Sequence, residues 1–518
     1  MYNAKPVKIL SRCATFELET DTCFNAPSEF KIFLGGDEIK ACSRNIFTLY
    51  NLSPAMSYNM RLSNGDGTDV SVSFVTKNES LLIDASRFGA VGDGETDCTS
   101  ALSAAIAACP KDGTVYVPKG VYKTYPLFLK SDMTLYLDDG AVLLGGVERS
   151  HYPVLPGTIQ TEHAGEKCLG TWEGNPLDCY AALITALGAK NVAVAGQGIV
   201  DGNAQNADWW INVRQRKGAW RPRTMFFSHC DNVSIVGVTV QNSPSWTVHP
   251  HYSDNVDALD ILIKNPDNSP NTDGFDPESC ANVCVLGAVI SVGDDCMAVK
   301  SGKMYMAENH WKPTENMQVR NCLLERGHGA VVVGSECAGG VNGLKISQCL
   351  MENTDRGLRV KTRRGRGERC VLTNISFENI EMHSVLTPFA INTLYCCDPD
   401  GKSDYVASKQ PQPVDKSTPT IGTVFCRDIK CDGCGAAGAY IFGLPEKPVE
   451  SVTLENVSIS FAPDAKPAAP VMMRDIEPVC RLGFYAENVS QLTLKNVIIE
   501  GADGEPMRLV NVKSFEKE

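Results

Sequence analysis

The chain has 518 residues, of which 43% are hydrophobic and 21% charged, and its formal net charge is −13. This is the composition of an ordinary folded protein, and the acidic balance excludes nucleic acid as the main partner, because phosphate binding depends on Lys and Arg. No apolar run reaches the roughly 18 residues of a membrane span, and the N-terminus shows no export signal. We therefore expect no membrane partner and a cytoplasmic location, although a secreted protein without its leader would look the same. A homo-oligomer is compatible with these properties.

The 21 cysteines are scattered through apolar stretches. In a large chain without an export signal, we interpret them as reduced, buried, small hydrophobic residues. The best arrangement for a metal is Cys426, Cys431 and Cys434, with Cys396-Cys397 upstream. Because only one Cys-x-x-Cys spacing is present and zinc sites usually need more, we predict no metal and no cofactor.

Residues 1–79 are expected to form a small β-sandwich, because short alternating stretches are separated there by turns of Gly, Asn and Asp. Leu52-Ser53-Pro54 followed by Tyr58 is similar to the Leu-Pro-Tyr corner of fibronectin type III domains. Residues 80–518 have a different pattern and are expected to form a second domain.

This second domain begins with a helical pattern that includes Leu102 and Ile106, for which Thr96 or Asp97 is a candidate N-cap. Many short strands follow. A helix before a series of strands indicates a cap over the end of a solenoid.

From about residue 190 the strands repeat, and an asparagine opens many of them. Examples are Asn191, Asn232, Asn255, Asn282 and Asn316. The irregular spacing fits neither a propeller nor a leucine-rich repeat, whereas a right-handed parallel β-helix tolerates variable loops. We therefore predict an all-β protein in which the asparagines either form ladders or simply serve as turn residues.

Four polar clusters interrupt these strands at intervals of roughly one coil each. They are Asn271-Thr272-Asp273, Gly293-Asp294-Asp295, Gly327-His328-Gly329 and Arg359-Val360-Lys361. In a solenoid they would stack above one another, so they are the candidate functional site.

Asp273, Asp294 and Asp295 are the candidate catalytic carboxylates. Adjacent side chains on a strand point to opposite faces, so both aspartates of the pair are useful only if the chain bends, which Gly293 permits. Asp273, one coil away, would lie roughly 5 to 9 Å from them. Such crowding raises the pKa of at least one carboxyl and sets an acid beside bases, as glycosidic hydrolysis requires. Aspartates on surface turns are the alternative, and this distance range leaves retaining and inverting chemistry open.

His328 lies between two glycines and could orient an aspartate. Arg359 and Lys361 share one strand face, which suits a ligand that carries a carboxylate. Arg364 lies in a basic loop that follows them and is either a further ligand contact or a solvated charge.

Four other side chains are weaker candidates for substrate binding. They are Asn271, Arg223, His249 and Glu336. Packing or turn structure explains such residues equally well.

In this order the four clusters resemble those of glycoside hydrolase family 28, the polygalacturonases. Phe88–Gly94 and Asn242–Trp246 are also similar to bacterial members, and the resemblance covers about residues 80–515. It implies a right-handed parallel β-helix and metal-independent, inverting hydrolysis of α-1,4-galacturonosyl bonds in acidic oligosaccharides. Val360 stands where isoleucine is more usual.

By position, the resemblance makes Asp294 the general acid, and Asp273 and Asp295 the groups that activate water. His328 would support the acid, and Arg359 and Lys361 would bind galacturonate carboxylates.

An N-terminal fibronectin-like domain is similar to that of exo-acting bacterial members, and with long loops such as 396–414 it could close one end of the cleft. The expected activity is therefore an exo-polygalacturonase. The alternatives are a hydrolase of rhamnogalacturonan or xylogalacturonan, a non-catalytic pectin-binding β-helix and a calcium-dependent pectate lyase.

Overall fold

The N-terminal part folds as two antiparallel sheets in a computed structural model that describes residues 3–65, 69–161 and 165–518. One sheet consists of Asn3–Ile9, Ala14–Glu19 and Ile46–Leu49, and the other of Asp37–Arg44, Asn25–Leu34, Ser57–Ser63 and Val70–Val75. Phe16, Phe47 and Phe74 stack between them in a separate hydrophobic core. This confirms a small β-sandwich. The backbone N–H of Ser53 donates to the Tyr58 hydroxyl at 2.8 Å, whereas kinship with fibronectin type III domains stays a prediction.

The larger part is a coil of short parallel strands that stack into three ladders. Ladder A consists of Leu82–Asp84, Gly113–Val117, Met133–Leu137, Lys190–Gly196, Asp231–Val236, Asp254–Leu259, Ala281–Leu286, Thr314–Arg320, Val341–Ser347, Val371–His383, Thr423–Cys434, Val449–Phe461, Leu482–Glu500 and Met507–Lys517. Ladder B consists of Asp93–Asp97, Gly120–Thr124, Ala141–Gly145, Ile199–Asp201, Thr239–Gln241, Leu262–Lys264, Val289–Val292, Leu323–Arg326 and Leu350–Glu352. Ladder C consists of Leu127–Leu129, Ile184–Leu187, Met225–Ser228, Val248–His251, Asp295–Val299, Gly329–Val333, Arg356–Lys361, Thr387–Asn392 and Ala437–Phe442, with Phe275 bridging Val248 and Met297. This architecture confirms the parallel β-helix.

Few helices interrupt the described chain. The α-helices are Thr99–Ala108, Met304–Asn309 and Asp404–Ala407, and the 3-10 helices are Ala85–Phe88, Arg149–His151, Ala204–Asn206 and Asp400–Lys402. Short strands outside the ladders are Val154–Leu155, Thr158–Thr161, Gly165–Cys168 and Cys179–Tyr180, whereas Thr420–Ile421 pairs in parallel with the start of Val371–His383 in ladder A. None of the helices described is long and apolar enough to cross a bilayer.

The first helix closes one end of the solenoid, since its buried Leu102 and Ile106 join the main core. The prediction of a cap is therefore confirmed. The N-cap is Cys98 rather than Thr96 or Asp97, although the Asp97 carboxylate still accepts the Thr99 backbone N–H.

Apolar side chains of successive coils lie directly above one another inside the solenoid. In ladder A this row runs through Val256, Val283, Met317, Leu344 and Ile375, all at most 1% exposed. Buried apolar area of this kind is the main stabilising term in folding.

The predicted asparagine ladder forms at one turn of the coil. Asn232 donates to Asn191 at 2.8 Å, Asn282 to Asn255 at 3.1 Å and Asn316 to Asn282 at 2.5 Å. All five asparagines have φ between 53° and 58°, a left-handed conformation that asparagine tolerates well. They therefore serve both as ladder and as turn residues.

The N-terminal sandwich packs against ladder A and the turns beside it. Leu10 and Ile46 join a cluster with Leu259 and Leu286, and Arg320 forms an ion pair with Glu17. The polar clusters lie on ladder C and its adjoining loops. The expectation that this domain closes the cleft is therefore not supported by any contact of the described residues.

Candidate active site

Asp273 is placed by the loop that crosses ladder C between two strands. The Asp273 carbonyl accepts the Thr247 backbone N–H at 2.8 Å, and the next residue, Gly274, donates its N–H to the Asp295 carbonyl at 3.0 Å. The loop thus substitutes for one rung of the ladder, and it sets Asp273 directly beside Asp295.

Asp294 and Asp295 lie at a bend, as expected. Strand alternation fails just after them, because Cys296 and Met297 both enter the hydrophobic core. Gly293 approaches the Pro266 and Asp267 carbonyls so closely that a Cβ would lie 2.5–2.6 Å from their oxygens. A glycine is therefore required for the bend that turns both carboxylates to one place.

The three carboxylates form one cluster. One oxygen of each lies within 4.8 Å of an oxygen of the other two. This is closer than the 5 to 9 Å expected from strand spacing alone, because the bend brings the pair toward Asp273. Asp273 and Asp295 are buried, whereas Asp294 is partly exposed. Asp294 is therefore the carboxyl of the three that a ligand reaches most directly.

Asp295 is held by two cations from a later coil. Arg359 Nη1 donates to Asp295 Oδ1 at 3.0 Å, and Lys361 Nζ donates to Asp295 Oδ2 at 2.6 Å. Burial acts to raise the pKa of Asp295, but Lys361 and Arg359 outweigh it and hold the pKa below its ordinary value. Asp295 is therefore ionised, and the shared strand face predicted for the two cations exists.

The other two carboxyls have raised pKa values. Burial raises the pKa of Asp273 to about 7, and the neighbouring Asp294 carboxylate adds to this effect. Burial and the charge of Asp295 raise the pKa of Asp294 as well. The prediction that at least one pKa rises is confirmed, and the site combines an ionised carboxylate with protonatable neighbours.

The Gly327-His328-Gly329 cluster closes over this group. Gly327 has φ +76°, and a Cβ there would lie 2.4 Å from the Asp294 carbonyl oxygen, which accepts the His328 backbone N–H at 3.0 Å. The exposed His328 ring bonds Asp355 Oδ2 through Nδ1 at 2.8 Å. The hydrogen bond to Asp355 raises the pKa of His328, and the nearby Asp294 carboxylate adds to this effect. Desolvation acts in the opposite direction but is weaker. The imidazole thus tends to be cationic beside the candidate acid.

A buried lysine that sequence reasoning missed lies at the centre of the site. Lys300 Nζ is 3.4 Å from Asp273 Oδ2, 3.6 Å from Asp276 Oδ1 and 3.2 Å from Glu336 Oε2. The ammonium also lies 4.1 Å from the centre of the Trp246 ring. Lys300 follows the strand that begins at Asp295, and this proximity in sequence to the aspartate pair was the available signal.

Glu336, a candidate substrate contact, pairs with Lys300 in this arrangement, and its predicted contact with substrate stays untested. Burial acts to raise the pKa of Glu336, but Lys300, Lys303 and Arg366 hold it below its ordinary value. Its carboxylate is therefore ionised and already paired.

Three weaker candidates lie in the coils before the carboxylates. Arg223 Nε donates to His249 Nδ1 at 3.2 Å, and His249 Nε2 contacts Glu278 Oε2 at 3.0 Å. Asn271 Oδ1 accepts from Arg221 Nη2 at 2.5 Å. Arg223 and His249 are buried, so they support the floor of the site, and their predicted contact with substrate stays untested.

Arg364 does not face the carboxylate cluster. Its Nε and Nη2 bond the Glu446 carboxylate at 2.6 and 2.8 Å, and its Nη1 contacts the Tyr405, Val406 and Ser408 carbonyls at 2.7–3.2 Å. It is 1% exposed, so its guanidinium anchors the loop around residues 396–414 and has no donor left for a ligand. The alternative prediction, that Arg364 is a solvated charge, is also wrong, because the side chain is buried.

Aromatic rings lie beside two of the cations in this region. Trp172 and Trp220 stack with ring centres 4.9 Å apart, and the guanidinium of Arg221 lies 5.2 Å from Trp172. Tyr395 lies 5.2 Å from Lys361 Nζ. Flat rings beside cations suit a sugar that bears a carboxylate.

Outside this cluster, the described residues bring one other set of metal-binding side chains together, namely Glu166, Cys168 and His310. Glu166 and His310 already pair at 2.8 Å, and burial raises the pKa of Cys168 to about 12, which disfavours the thiolate. The 21 cysteines form no disulfides in this structure, and 16 of them are buried, as expected; their reduced state stays a prediction.

The coils of this β-helix bring a protonatable carboxyl, an ionised carboxylate and cations to one partly exposed site. These are the groups that a glycoside hydrolase requires. A sequence profile described as glycosyl hydrolases family 28 matches residues 157–472. The chain belongs to this family and is a glycoside hydrolase. A second profile, described as rhamnogalacturonase A/epimerase, pectate lyase-like, matches residues 82–136.

Two curated relatives illustrate the family. The chain is 31% identical over 400 residues to a probable polygalacturonase of Vitis vinifera, covering 76% of this chain and 77% of the relative. It is 29% identical over 372 residues to an exo-poly-alpha-D-galacturonosidase of Dickeya chrysanthemi, covering 64% of this chain and 60% of the relative.

Solved structures share the architecture. An exopolygalacturonase of Thermotoga maritima superposes with a TM-score of 0.65 and 26% identity over 81% of this chain and 92% of the other. An exopolygalacturonase of Yersinia enterocolitica superposes with a TM-score of 0.73 over 100% of this chain and 98% of the other, at 18% identity. The latter likeness concerns the fold alone.

Proposed function

We propose that the protein is an exo-acting polygalacturonase that hydrolyses α-1,4-galacturonosyl linkages of galacturonides with inversion. The observation that carries this proposal is the cluster of Asp273, Asp294 and Asp295, in which Arg359 and Lys361 hold one carboxylate ionised. Family membership and the relatives named above support the same substrate class.

Asp294 acts as the general acid, because it is the partly exposed member of the cluster and its pKa is raised by burial and by Asp295. Asp295 and Asp273 act as the base. Water attacks the anomeric carbon and gives a proton to the base, the bond from that carbon to the glycosidic oxygen breaks, and Asp294 protonates the leaving oxygen. Asp294 regains a proton before the next turnover.

Attack by water rather than by a carboxylate is favoured by the state of Asp295. Both of its oxygens bond cations, so it is a weak nucleophile, even though the cluster is tighter than the ~6.5–9.5 Å usual for inverting enzymes. Proton NMR of the first product tests this directly. An α-linked substrate should release the β-anomer, and initial release of the α-anomer would refute inversion.

The preference for an acidic sugar follows from charge. The chain as a whole carries −13, yet Lys300, Arg359 and Lys361 converge on one site with Tyr395 beside them. A uronate carboxylate can enter such a place and gain charge-assisted hydrogen bonds. The match of residues 82–136 to a rhamnogalacturonase-like profile makes a related pectic polymer, rhamnogalacturonan or xylogalacturonan, the second candidate. Parallel digests of the three polymers distinguish them.

Attack from the chain end is favoured by loops that border the site. Lys303 joins two of them, since its backbone N–H donates to Gly174 at 2.8 Å and its Nζ contacts Asp398 at 3.2 Å. One of these loops also lies against Glu336, since a Cβ on Gly174 would be 2.9 Å from the Glu336 Cβ. A ladder of defined oligogalacturonides tests the end-wise mode. Removal of units from one end supports it, whereas early appearance of mid-length fragments would refute it.

Activity itself is tested by release of reducing ends from polygalacturonate, with Asp294→Asn as the matched inactive control. A non-catalytic β-helix would release none. A pectate lyase would form unsaturated products that absorb in the ultraviolet and would lose activity with EDTA.

We also propose a cytoplasmic location, because 21 unpaired thiols suit a reducing compartment. Fractionation of the source cells tests it, and recovery outside the cytoplasm would refute it.

A further inference from the structure

More carboxyls than cations meet at the centre of the site. The carboxyls are those of Asp273, Asp276, Asp294, Asp295 and Glu336, and the cations are those of Lys300, Arg359 and Lys361. Lys303 and Arg366, which also face Glu336, share the single carboxylate of Asp398 with Arg363, so positive charge remains beside Glu336. A buried charge without a partner is costly. Asp294 holds one proton as the acid. Around Lys300, three further carboxyls (Asp273, Asp276 and Glu336) compete for one ammonium group, so a second proton is favoured on one of them.

Asp276 is the best candidate for the second proton. It is completely buried, and neither of its carboxylate oxygens has a hydrogen-bond partner among the described residues. Its nearest cation is Lys300 at 3.6 Å, which lies closer to Asp273 and Glu336. An ionised group would not be stable there, whereas a neutral carboxyl is tolerated.

Among the described residues, no other counter-charge faces Asp276. On the preceding coil the chain neighbours are His249 and His251, and burial keeps the pKa of both well below the ordinary value, so they are neutral. On the following coil lies Lys300, and Asp273 and Asp295 face the same space. Burial and the charge of Asp273 raise the pKa of Asp276 well above its ordinary value.

We propose that Asp276 is a positioning residue that remains protonated and that, together with Lys300, favours the ionised form of Asp273 and holds it in place as the base. Lys300 supplies positive charge 3.4 Å from Asp273, and the neutral Asp276 adds no competing negative charge. Neither residue needs to touch the substrate for this role. The inference rests on the proposed hydrolysis, and it adds two residues to the machinery that were absent from the four sequence clusters.

The first test measures the acid limb of the pH dependence of kcat/KM for Asp276→Asn. An amide is neutral, as the protonated carboxyl is, so the limb should stay at its wild-type pH even if kcat falls. If Asp276 were ionised in the wild type, loss of its charge would move the limb down by about one unit or more. That downward shift would overturn the proposal. Asp276→Ser is a second neutral variant that should leave the limb in place in the same way.

The second test removes the charge of Lys300. In Lys300→Met the pKa of Asp273 should rise, so the acid limb should move up by about 1 to 3 units, and Lys300→Arg should restore it in large part. Lys345→Met removes an exposed lysine of ladder A and should leave the limb unchanged. An unshifted limb in a folded Lys300→Met variant would overturn the proposal. If the wild type releases no reducing ends from any pectic polymer, the proposed hydrolysis itself is refuted. If the wild type is active but Asp276→Asn moves the acid limb down, or Lys300→Met leaves it unshifted, only the present inference is refuted.

Discussion

Replacing Lys361 with methionine probes how the site keeps Asp295 ionised. Lys361 Nζ lies 2.6 Å from Asp295 Oδ2, and the two side chains are 8% and 1% exposed. Removing one partner of a buried ion pair costs about 3–5 kcal/mol, because the other charge stays buried. Arg359 still bonds Asp295 Oδ1 at 3.0 Å, so we expect the lower end, about 3 kcal/mol of unfolding free energy at neutral pH.

The stability lost in Lys361→Met should depend on pH in a definite direction. Despite burial, Lys361 and Arg359 lower the pKa of Asp295 in the folded protein. The stabilisation is therefore complete above the unfolded-state pKa and is lost as the pH falls toward the folded-state pKa. In Lys361→Met the pKa of Asp295 in the folded protein should rise by about two units, which is the equivalent of about 3 kcal/mol. The difference in stability between the two proteins should accordingly be largest near neutral pH and shrink in acid.

Urea unfolding of the β-helix, followed by tryptophan fluorescence at several pH values with a check of reversibility, measures this difference. Lys190→Met removes an exposed lysine of ladder A and serves as the control, for which we expect a change within about 0.5 kcal/mol. The reasoning would be refuted if Lys361→Met were as stable as that control at neutral pH, or if the difference grew as the pH fell.

Three further predictions concern activity. Asp294→Asn should fold normally yet lose about 10²- to 10⁴-fold in kcat, the usual contribution of a general acid; near-wild-type turnover would remove the acid assignment. His328→Gln should weaken activity chiefly below the pKa of His328, because that pKa is raised and only there does the wild type carry the imidazolium that the variant lacks. A loss that is equally large well above that pKa would show that the cation of this histidine does not support Asp294. Dialysis against EDTA should leave the rate of reducing-end release unaltered, because Arg359, Lys361 and Lys300 supply the positive charge of the site. A loss of activity on dialysis that is restored by adding a metal ion would contradict this.

Much of the architecture could be predicted from local patterns. Short strands that open on asparagine indicate a solenoid with regular turns, and the structure contains both the ladders and the left-handed asparagines. The order of the four clusters indicates which residues meet, since each coil adds one strand to ladder C. Gly293 signals the bend at the aspartate pair because only a glycine fits between the Pro266 and Asp267 carbonyls.

The loops resisted prediction because their partners are far away in sequence. Arg364 resembles a ligand contact or a solvated charge until residues 405–410 and Glu446 fold over it. Likewise, the N-terminal sandwich could have closed the cleft, but Ile46 and Arg44 fit ladder A, where Leu286 and Asp260 receive them. No local pattern encodes such docking.

The sequence by itself determined the coil, its cap and the four clusters, because strand period, turn residues and spacing are properties of neighbouring residues. Tertiary structure alone decided the ionisation pattern of the site. Lys300 and Asp276 look like ordinary strand or loop residues in the sequence, yet successive coils bring the Lys300 ammonium within 3.6 Å of the Asp276 and Glu336 carboxyls. Electrostatic energies depend on those distances and on burial, and both are set only when distant coils stack.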